Sequence, residues 1–402
     1  VEASGQVEGG MDIVAYDAGT GKRKILVATT SLLDPEKRSP LRIEGYSWSK
    51  DGRLLLIFTN TRRVWRLNTR GDYWVFDRVS GSLRKLGKKL EPSSLMFAKF
   101  SPTARKVAYV YRNNIYVEDI ESGQVDQLTS DGSETIINGT ADWVYEEEFS
   151  LRDGFRWSPD GRHLAFWRFD TSSIQDYYLI NNTDSLYPKI IPIKYPKVGT
   201  RNSEVRLGLV NVETRKTDWI RLPGDSRQDY YLPAMDWTQD SGKIIFQRLN
   251  RLQNTNQLML FDIASRELRT IFTDQDEAWV EVMDDFVWFN GGKNLLWLSE
   301  RDGWNQVYEI SLDGRPARQV TGGRYDVVSL SGLDEKSGWL YFMASPDDAT
   351  RRYLYRVRLK PGSSPERVTP AALAGTHSYQ MSPDGGFAIH TYSTFDSPPV
   401  ID

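Results

Sequence analysis

The 402-residue sequence predicts an all-β fold, a β-propeller built from repeated four-stranded blades. A turn motif recurs along the chain at nearly even spacing, and an apolar strand follows each copy. Aromatic residues, which favour strands, make up 12% of the chain. Four-stranded units of about 40–50 residues, repeated many times, are typical of propellers, whose radial closure protects the sheet edges.

The clearest copy of the motif is Trp157-Ser-Pro-Asp-Gly161, in which turn-forming residues precede the strand ending at Phe166. Full and weaker copies begin at Trp48, Phe100, Trp157, Trp237, Trp288, Leu333 and Met381. Successive starts are separated by 52, 57, 80, 51, 45 and 48 residues. The sequence therefore repeats with a period of about 50 residues, the length of one blade.

A second half-unit follows each copy except the last: an apolar strand, often an Asp, a turn and another strand. Asn114–Gly123 leading to Gln127–Thr129 is the cleanest example. Residues 13–27 form a second half without a first, and the unit at Met381 is a first half without a second. Either these halves complete a seventh blade, or the chain belongs to an eight-bladed protein and its first and last blades are incomplete.

The interval of 80 residues contains an insertion from about residue 170 to residue 202. It includes Tyr187-Pro-Lys and Tyr195-Pro-Lys, and proline is unfavourable in central strands. We therefore expect one propeller domain over residues 1–402, with an arm or extended loop at 170–202.

Composition excludes several classes of function. Lys and Arg total 51 against 54 acidic residues, so a basic nucleic-acid surface is not expected. Cys is absent and His occurs three times, so we expect no disulfide, no metal site and no cofactor. No apolar run approaches the roughly 18 residues of a membrane span. The lack of Cys is compatible with export, so a periplasmic or secreted bacterial location is preferred to a cytoplasmic one.

No nucleophile motif of a serine hydrolase is present. Gly45-Tyr-Ser-Trp-Ser49 lacks the second glycine of G-x-S-x-G and belongs to a repeat turn. His163 and His390 fall in repeat strands and His377 precedes one, so all three are interpreted as structural. We expect no catalytic triad within this chain.

The largest departure from the repeat is Asp142-Trp-Val-Tyr-Glu-Glu-Glu-Phe149. Three consecutive carboxylates are poorly suited to a strand, and they raise one another's pKa unless a cation lies nearby. One interpretation is a solvated acidic turn. The other is a paired carboxylate site for an ammonium group, held in place by Trp143, Tyr145 and Phe149.

These residues carry a resemblance. Asn138–Phe149, followed by the Trp157 motif, resembles the N-terminal propeller of the dipeptidyl peptidase IV family of serine peptidases. Further segments resemble that family in the same order, so the resemblance covers nearly the whole chain: Tyr187-Pro-Lys, Tyr195–Gly199, Arg248–Asn254 and Ser299–Trp304. It implies an eight-bladed propeller that caps an α/β-hydrolase domain, which supplies Ser, Asp and His and is expected to be absent from this chain.

The resemblance also implies site residues and partners. Glu147 and Glu148 would hold the α-ammonium of a peptide, Glu146 would turn elsewhere, and Arg66 would polarise a substrate carbonyl. The family removes dipeptides from peptide N-termini, commonly after Pro or Ala. The implied partners are a peptide with a free amino terminus and the hydrolase domain, and the 170–202 insertion is a candidate homodimer contact.

One segment departs from the family pattern. Some members have an aromatic residue and an Arg where this chain has Met283 and Asp284, which supply neither an aromatic wall nor a cation. The extended subsites of the family are therefore not expected in the same form. A second function, from another class, is a non-enzymatic propeller that binds proteins, as periplasmic propellers with similar repeats do. The three adjacent glutamates favour the peptidase interpretation.

Overall fold

The computed structural model describes residues 1–283 and 286–402, and the chain divides into two units, Val1–Asp229 and Tyr230–Asp402. Over the described residues each unit contains four blades of antiparallel strands. The predicted all-β propeller fold is confirmed. None of the helices in this described part is long and apolar enough to cross a membrane.

The first unit begins with three blades of regular strand order. The first contains β1 (Glu2–Ala3), β2 (Met11–Tyr16) and β3 (Arg23–Val27), followed by a 3₁₀ turn at Thr29–Ser31. The second contains β4 (Gly45–Trp48), β5 (Leu54–Val64), β6 (Leu67–Asp77) and β7 (Leu83–Lys85). The third contains β8 (Leu95–Phe100), β9 (Lys106–Tyr111), β10 (Asn114–Asp119) and β11 (Val125–Gln127).

The fourth blade carries the additions to the regular pattern. It contains β12 (Ile136–Asn138), α1 (Trp143–Phe149), β13 (Phe155–Trp157), β14 (His163–Asp170), β17 (Glu204–Asn211) and β18 (Thr217–Trp219). Between β14 and β17 lie β15 (Asp176–Asn181) and β16 (Lys189–Lys194), which pair with each other as a separate two-stranded sheet. This hairpin lies within the predicted insertion, and residues 170–202 are called the arm below.

The second unit contains the remaining four blades. They comprise β19 (Tyr230–Tyr231), β20 (Met235–Trp237), β21 (Lys243–Asn250), β22 (Thr255–Asp262) and β23 (Leu268–Gln275); β24 (Val287–Phe289), β25 (Asn294–Ser299), β26 (Gln306–Ser311) and β27 (Arg318–Gln319); β28 (Val327–Asp334), β29 (Trp339–Ala344), β30 (Tyr353–Arg358) and β31 (Glu366–Arg367); and β32 (Thr376–Met381), β33 (Ala388–Thr394) and β34 (Ser397–Ile401). The first and last blades of the chain have three strands each and form separate sheets.

The repeated motif forms the turn between the first and second strands of a blade. Ser158 Oγ donates a hydrogen bond to Asp160 Oδ1 at 2.6 Å, and Gly161 N donates to Ser158 O at 2.8 Å. Gly161 has φ of 70°, a conformation that glycine adopts without steric cost. The same hydroxyl-to-carboxylate bond, also 2.6 Å, joins Ser49 to Asp51, Thr238 to Asp240 and Ser382 to Asp384.

Aromatic residues that open the motif fill the space between consecutive blades. Trp48, Phe100 and Trp157 each pack against apolar clusters drawn from two neighbouring blades of the first unit. Trp288 does the same in the second unit. Because an aromatic side chain buries a large apolar area, these contacts stabilise the stacking of adjacent blades. The propeller core is thus a series of clusters between blades.

Candidate functional site

The hairpin of β5 and β6, called the long hairpin, extends beyond the blade that contains it. Its strands are 11 residues each, whereas β9 and β10 in the next blade have 6. The extension also pairs with the next blade, because Arg70 and Gly71 of β6 lie opposite Met96 and Leu95 of β8. Arg66 lies in the two-residue turn at the tip of this hairpin. The pairing with β8 therefore supports the extended part of the hairpin that carries the turn.

The acidic segment forms α1, called the glutamate helix, which interrupts the first strand of the fourth blade. β12 and β13 pair with the same edge of β14, one on each side of the interruption. Asp142 caps the helix, since its Oδ1 accepts a hydrogen bond from Tyr145 N at 3.0 Å. The helix ends at Phe149, and the C-cap residue Ser150 has a left-handed φ of 53°. The acidic segment is therefore a short capped helix and not a turn.

Aromatic packing fixes the glutamate helix against its blade. Tyr145 and Phe149 are buried, and the Tyr145 ring lies 5.3 Å from the Phe149 ring and 4.8 Å from the Phe169 ring of β14. Trp143 is half-buried and packs against Tyr195 of the arm. The aromatic residues that flank the carboxylates in the sequence therefore hold the helix in position.

The structure brings Arg66 and Glu147 together from two different blades. Arg66 Nη2 lies 2.9 Å from Glu147 Oε2, within ion-pair distance. The Arg66 side chain is 71% exposed, whereas the Glu147 side chain is 18% exposed. A carboxylate that is largely shielded from water therefore faces a cation whose remaining donors are open to a ligand.

The other two glutamates have different surroundings. Glu146 Oε1 accepts a hydrogen bond from Arg152 Nε at 3.2 Å, and burial raises the pKa of Glu146 above its ordinary value. Glu148 is exposed and directly follows Glu147 in the helix. Glu146 is thus directed to Arg152 of its own blade, whereas Glu147 is paired with Arg66 of another blade.

Sequence reasoning missed two parts of this site. It did not identify Arg152 as the partner of Glu146, or Asp142 as the helix cap. The order Asp142 followed by a run of glutamates is a recognisable helix-start signal, since Asp is favoured at caps and acidic residues in the first turn.

Other residues singled out from the sequence lie in the second unit. The Met283 carbonyl accepts a hydrogen bond from Gln247 Nε2 at 2.5 Å, and its side chain packs against the cluster around Trp297. Asp284 lies outside the described residues. His377 Nδ1 and His390 Nε2 are 2.8 Å apart, so these two histidines bond to each other.

Comparisons with known proteins give the same class of protein as the fold. A sequence profile for the N-terminal region of dipeptidyl peptidase IV matches residues 49–399. Over 378 residues the chain is 29% identical to a protein of Coccidioides posadasii described as a probable dipeptidyl-aminopeptidase B, covering 87% of this chain and 41% of that protein. Over 364 residues it is 29% identical to dipeptidyl-aminopeptidase B of Aspergillus niger, covering 84% and 40%.

A solved structure is similar over almost the whole chain. The crystal structure of Porphyromonas gingivalis dipeptidyl peptidase 4 superposes with a TM-score of 0.88 and 30% identity, covering 97% of this chain and 54% of that one. The fold and the matches define a propeller domain of the dipeptidyl peptidase class. The chain belongs to the dipeptidyl peptidase IV family, within its N-terminal region. It spans about half or less of the length of these relatives.

Proposed function

We propose that this chain is the substrate-selecting domain of a serine peptidase that removes dipeptides from peptide N-termini. In this proposal Glu147 and Glu148 bind the free α-ammonium of the substrate, and Arg66 binds a substrate carbonyl. The observation that carries it is the 2.9 Å contact between Arg66 and Glu147. The two residues come from the long hairpin and the glutamate helix, the parts of their blades that depart from the repeat.

The local charges favour an ammonium ligand. Glu147 and Glu148 lie in the last turn of a helix, whose carbonyl end disfavours negative charge, so a bound cation stabilises them. Hydrogen bonds between an ammonium and carboxylates are charge-assisted and are stronger than neutral ones. A peptide whose amino terminus is acetylated has no such charge. The site therefore selects chains with a free amino terminus.

Binding the terminus also determines which bond is cleaved. A dipeptide spans about 7 Å when extended, so fixing the ammonium places the second carbonyl at a set distance from Glu147. Holding a reacting carbonyl in a defined place contributes to catalysis by positioning. The nucleophile, base and oxyanion donors are assigned to an α/β-hydrolase domain outside these 402 residues, in keeping with the greater length of the relatives.

The test compares free and blocked peptides. The full-length protein should cleave dipeptidyl chromogenic substrates that have a free amino terminus and should cleave their acetylated forms poorly, whereas residues 1–402 alone should show no turnover. Equal cleavage of free and acetylated substrates would refute the ammonium role. A full-length protein without any peptidase activity would favour the second candidate function, a non-enzymatic protein-interaction propeller.

We also propose that the arm contacts a second copy of the chain in a homodimer. Both faces of its two-stranded sheet are exposed and apolar: Tyr177, Tyr178, Leu179, Ile180, Ile190 and Ile191 are 42–67% exposed. A contiguous exposed apolar surface of this kind is typical of a protein contact. A self-complementary contact between two such hairpins suits a two-fold dimer.

A further inference from the structure

The cap of the glutamate helix is hydrogen-bonded to the residue that directly follows the arm. Asp142 Oδ2 accepts a hydrogen bond from Ser203 Oγ at 2.6 Å, while the other carboxylate oxygen caps the helix. Asp142 is 5% exposed and Ser203 is 2% exposed. Burial raises the pKa of Asp142 above its ordinary value, whereas the hydrogen bonds from Ser203 and Tyr145 act against this rise. These hydrogen bonds therefore favour the ionised carboxylate that caps the helix. Ser203 directly precedes β17, where the chain re-enters the blade after the arm.

The base of the arm makes a second contact with the same helix. The ring centroids of Trp143 and Tyr195 are 4.4 Å apart. Tyr195 is in turn held within the arm, because its N–H donates to Gln175 O at 3.2 Å and its ring lies 5.4 Å from that of Tyr177. The arm therefore touches the helix through an aromatic contact as well as through the cap.

Helix geometry places these contacts next to the carboxylates. Trp143 and Glu147 are four residues apart and therefore lie on the same face of the helix. A helix of seven residues is too short to be stable by itself, so its orientation depends on tertiary contacts. The contacts that hold Trp143 and Asp142 thus also determine where the Glu147 and Glu148 carboxylates point.

We propose that Ser203 and Tyr195 are positioning residues for the ammonium site, acting through Asp142 and Trp143. This inference rests on the proposed function, since it assigns a role in placing Glu147 and Glu148. It makes the base of the arm part of the peptidase site, although neither residue touches the substrate.

The experiment is a double-mutant cycle in the full-length protein, with kcat/KM measured on a dipeptidyl substrate that has a free amino terminus. Ser203→Ala should lower kcat/KM by about 3- to 10-fold, the effect of one buried hydrogen bond. In a Glu147→Gln background the same change should have a clearly smaller effect, because one of the two carboxylates to be positioned has already lost its charge. Ser203→Thr, which keeps the hydroxyl, should restore most of the activity.

Two control substitutions separate positioning from stability and from dimerisation. Ser158 is fully buried and hydrogen-bonded in the turn before β14. This turn adjoins the start of β14, whereas Ser203 lies next to the other end of the strand, seven residues and about 23 Å further along. Ser158→Ala should lower the thermal unfolding midpoint without the same loss of kcat/KM. Tyr195→Ala should reduce activity and Tyr195→Phe should not, whereas Tyr178→Ala on the exposed arm should leave the activity of each protomer unchanged.

The outcomes distinguish the two proposals. If Glu147→Gln does not lower kcat/KM, the proposed function itself fails. If Glu147→Gln lowers it but Ser203→Ala has no effect, or acts equally in both backgrounds, the positioning role is overturned. A change in unfolding midpoint alone, with unaltered kcat/KM, likewise assigns Ser203 to stability only.

Discussion

Glu147→Gln removes one negative charge while keeping the size and shape of the side chain. The Glu147 side chain is only 18% exposed, so its interactions with Arg66 and with a bound ammonium are less screened than those of a surface pair. A hydrogen bond to a charged group contributes about 1.5–3 kcal/mol. Loss of one such bond to the substrate should therefore lower kcat/KM by about 10- to 150-fold.

The assay is steady-state hydrolysis of matched chromogenic dipeptides, one with a free amino terminus and one acetylated, by the full-length protein. Glu146→Gln is the control, because Glu146 is on the same helix but bonds to Arg152. Glu146→Gln should act mainly on the thermal unfolding midpoint and should have only a small effect on kcat/KM. The reasoning is refuted if Glu147→Gln impairs the free and acetylated substrates by the same factor, or if Glu146→Gln has the larger effect on kcat/KM.

Three further predictions concern the hairpin, the arm and the last blade. Arg66→Gln should lower kcat/KM by about 10-fold or more. Arg66→Lys should lower it by less, because Lys keeps the positive charge near Glu147 although it lacks the planar guanidinium donors. Equal losses in the two variants would contradict this prediction. Ile180→Lys on the exposed arm should convert a dimer to a monomer in sedimentation velocity, and an unchanged mass would exclude the arm contact. Burial lowers the pKa of His377 below its ordinary value of 6.5, so the unfolded chain binds a proton at this residue more readily than the folded chain does. The contribution of neutral His377 to the free energy of unfolding is therefore complete above about pH 6.5 and is lost as pH falls further. The amide protection factors in β32–β34, which are exchange rates corrected for the intrinsic pH dependence of exchange, should decrease over that range. His377→Gln should weaken this decrease; an unaltered pH profile in the variant would rule His377 out.

Most of the fold was predictable because each blade repeats the same local chemistry. The turn that follows Trp157 needs a hydroxyl, an acid and a residue that tolerates positive φ. These residue types recur in the sequence at nearly regular spacing. The apolar strands that follow have the short length and β-branched or aromatic content of buried strands. Local patterns of this kind give strand positions without any knowledge of tertiary contacts.

The site was predictable only in part. The pairing of Arg66 with Glu147 joins residues 81 positions apart, and no local pattern encodes it; it was expected only through the family resemblance. The glutamate helix has two turns, too few for its period to emerge from the sequence. The hydrogen bond from Ser203 to Asp142 joins residues that lie before and after the arm in the sequence, so it depends on how the chain returns to its blade. Such contacts arise from tertiary structure, which composition and periodicity do not report.

The most direct test of the ammonium site is a crystal structure of the full-length protein with a dipeptide product bound. We expect the dipeptide nitrogen to lie within about 3.2 Å of a carboxylate oxygen of both Glu147 and Glu148, with the Arg66 guanidinium on a peptide carbonyl. A dipeptide bound with its nitrogen away from both glutamates, while Glu147 contacts only Arg66, would contradict the account.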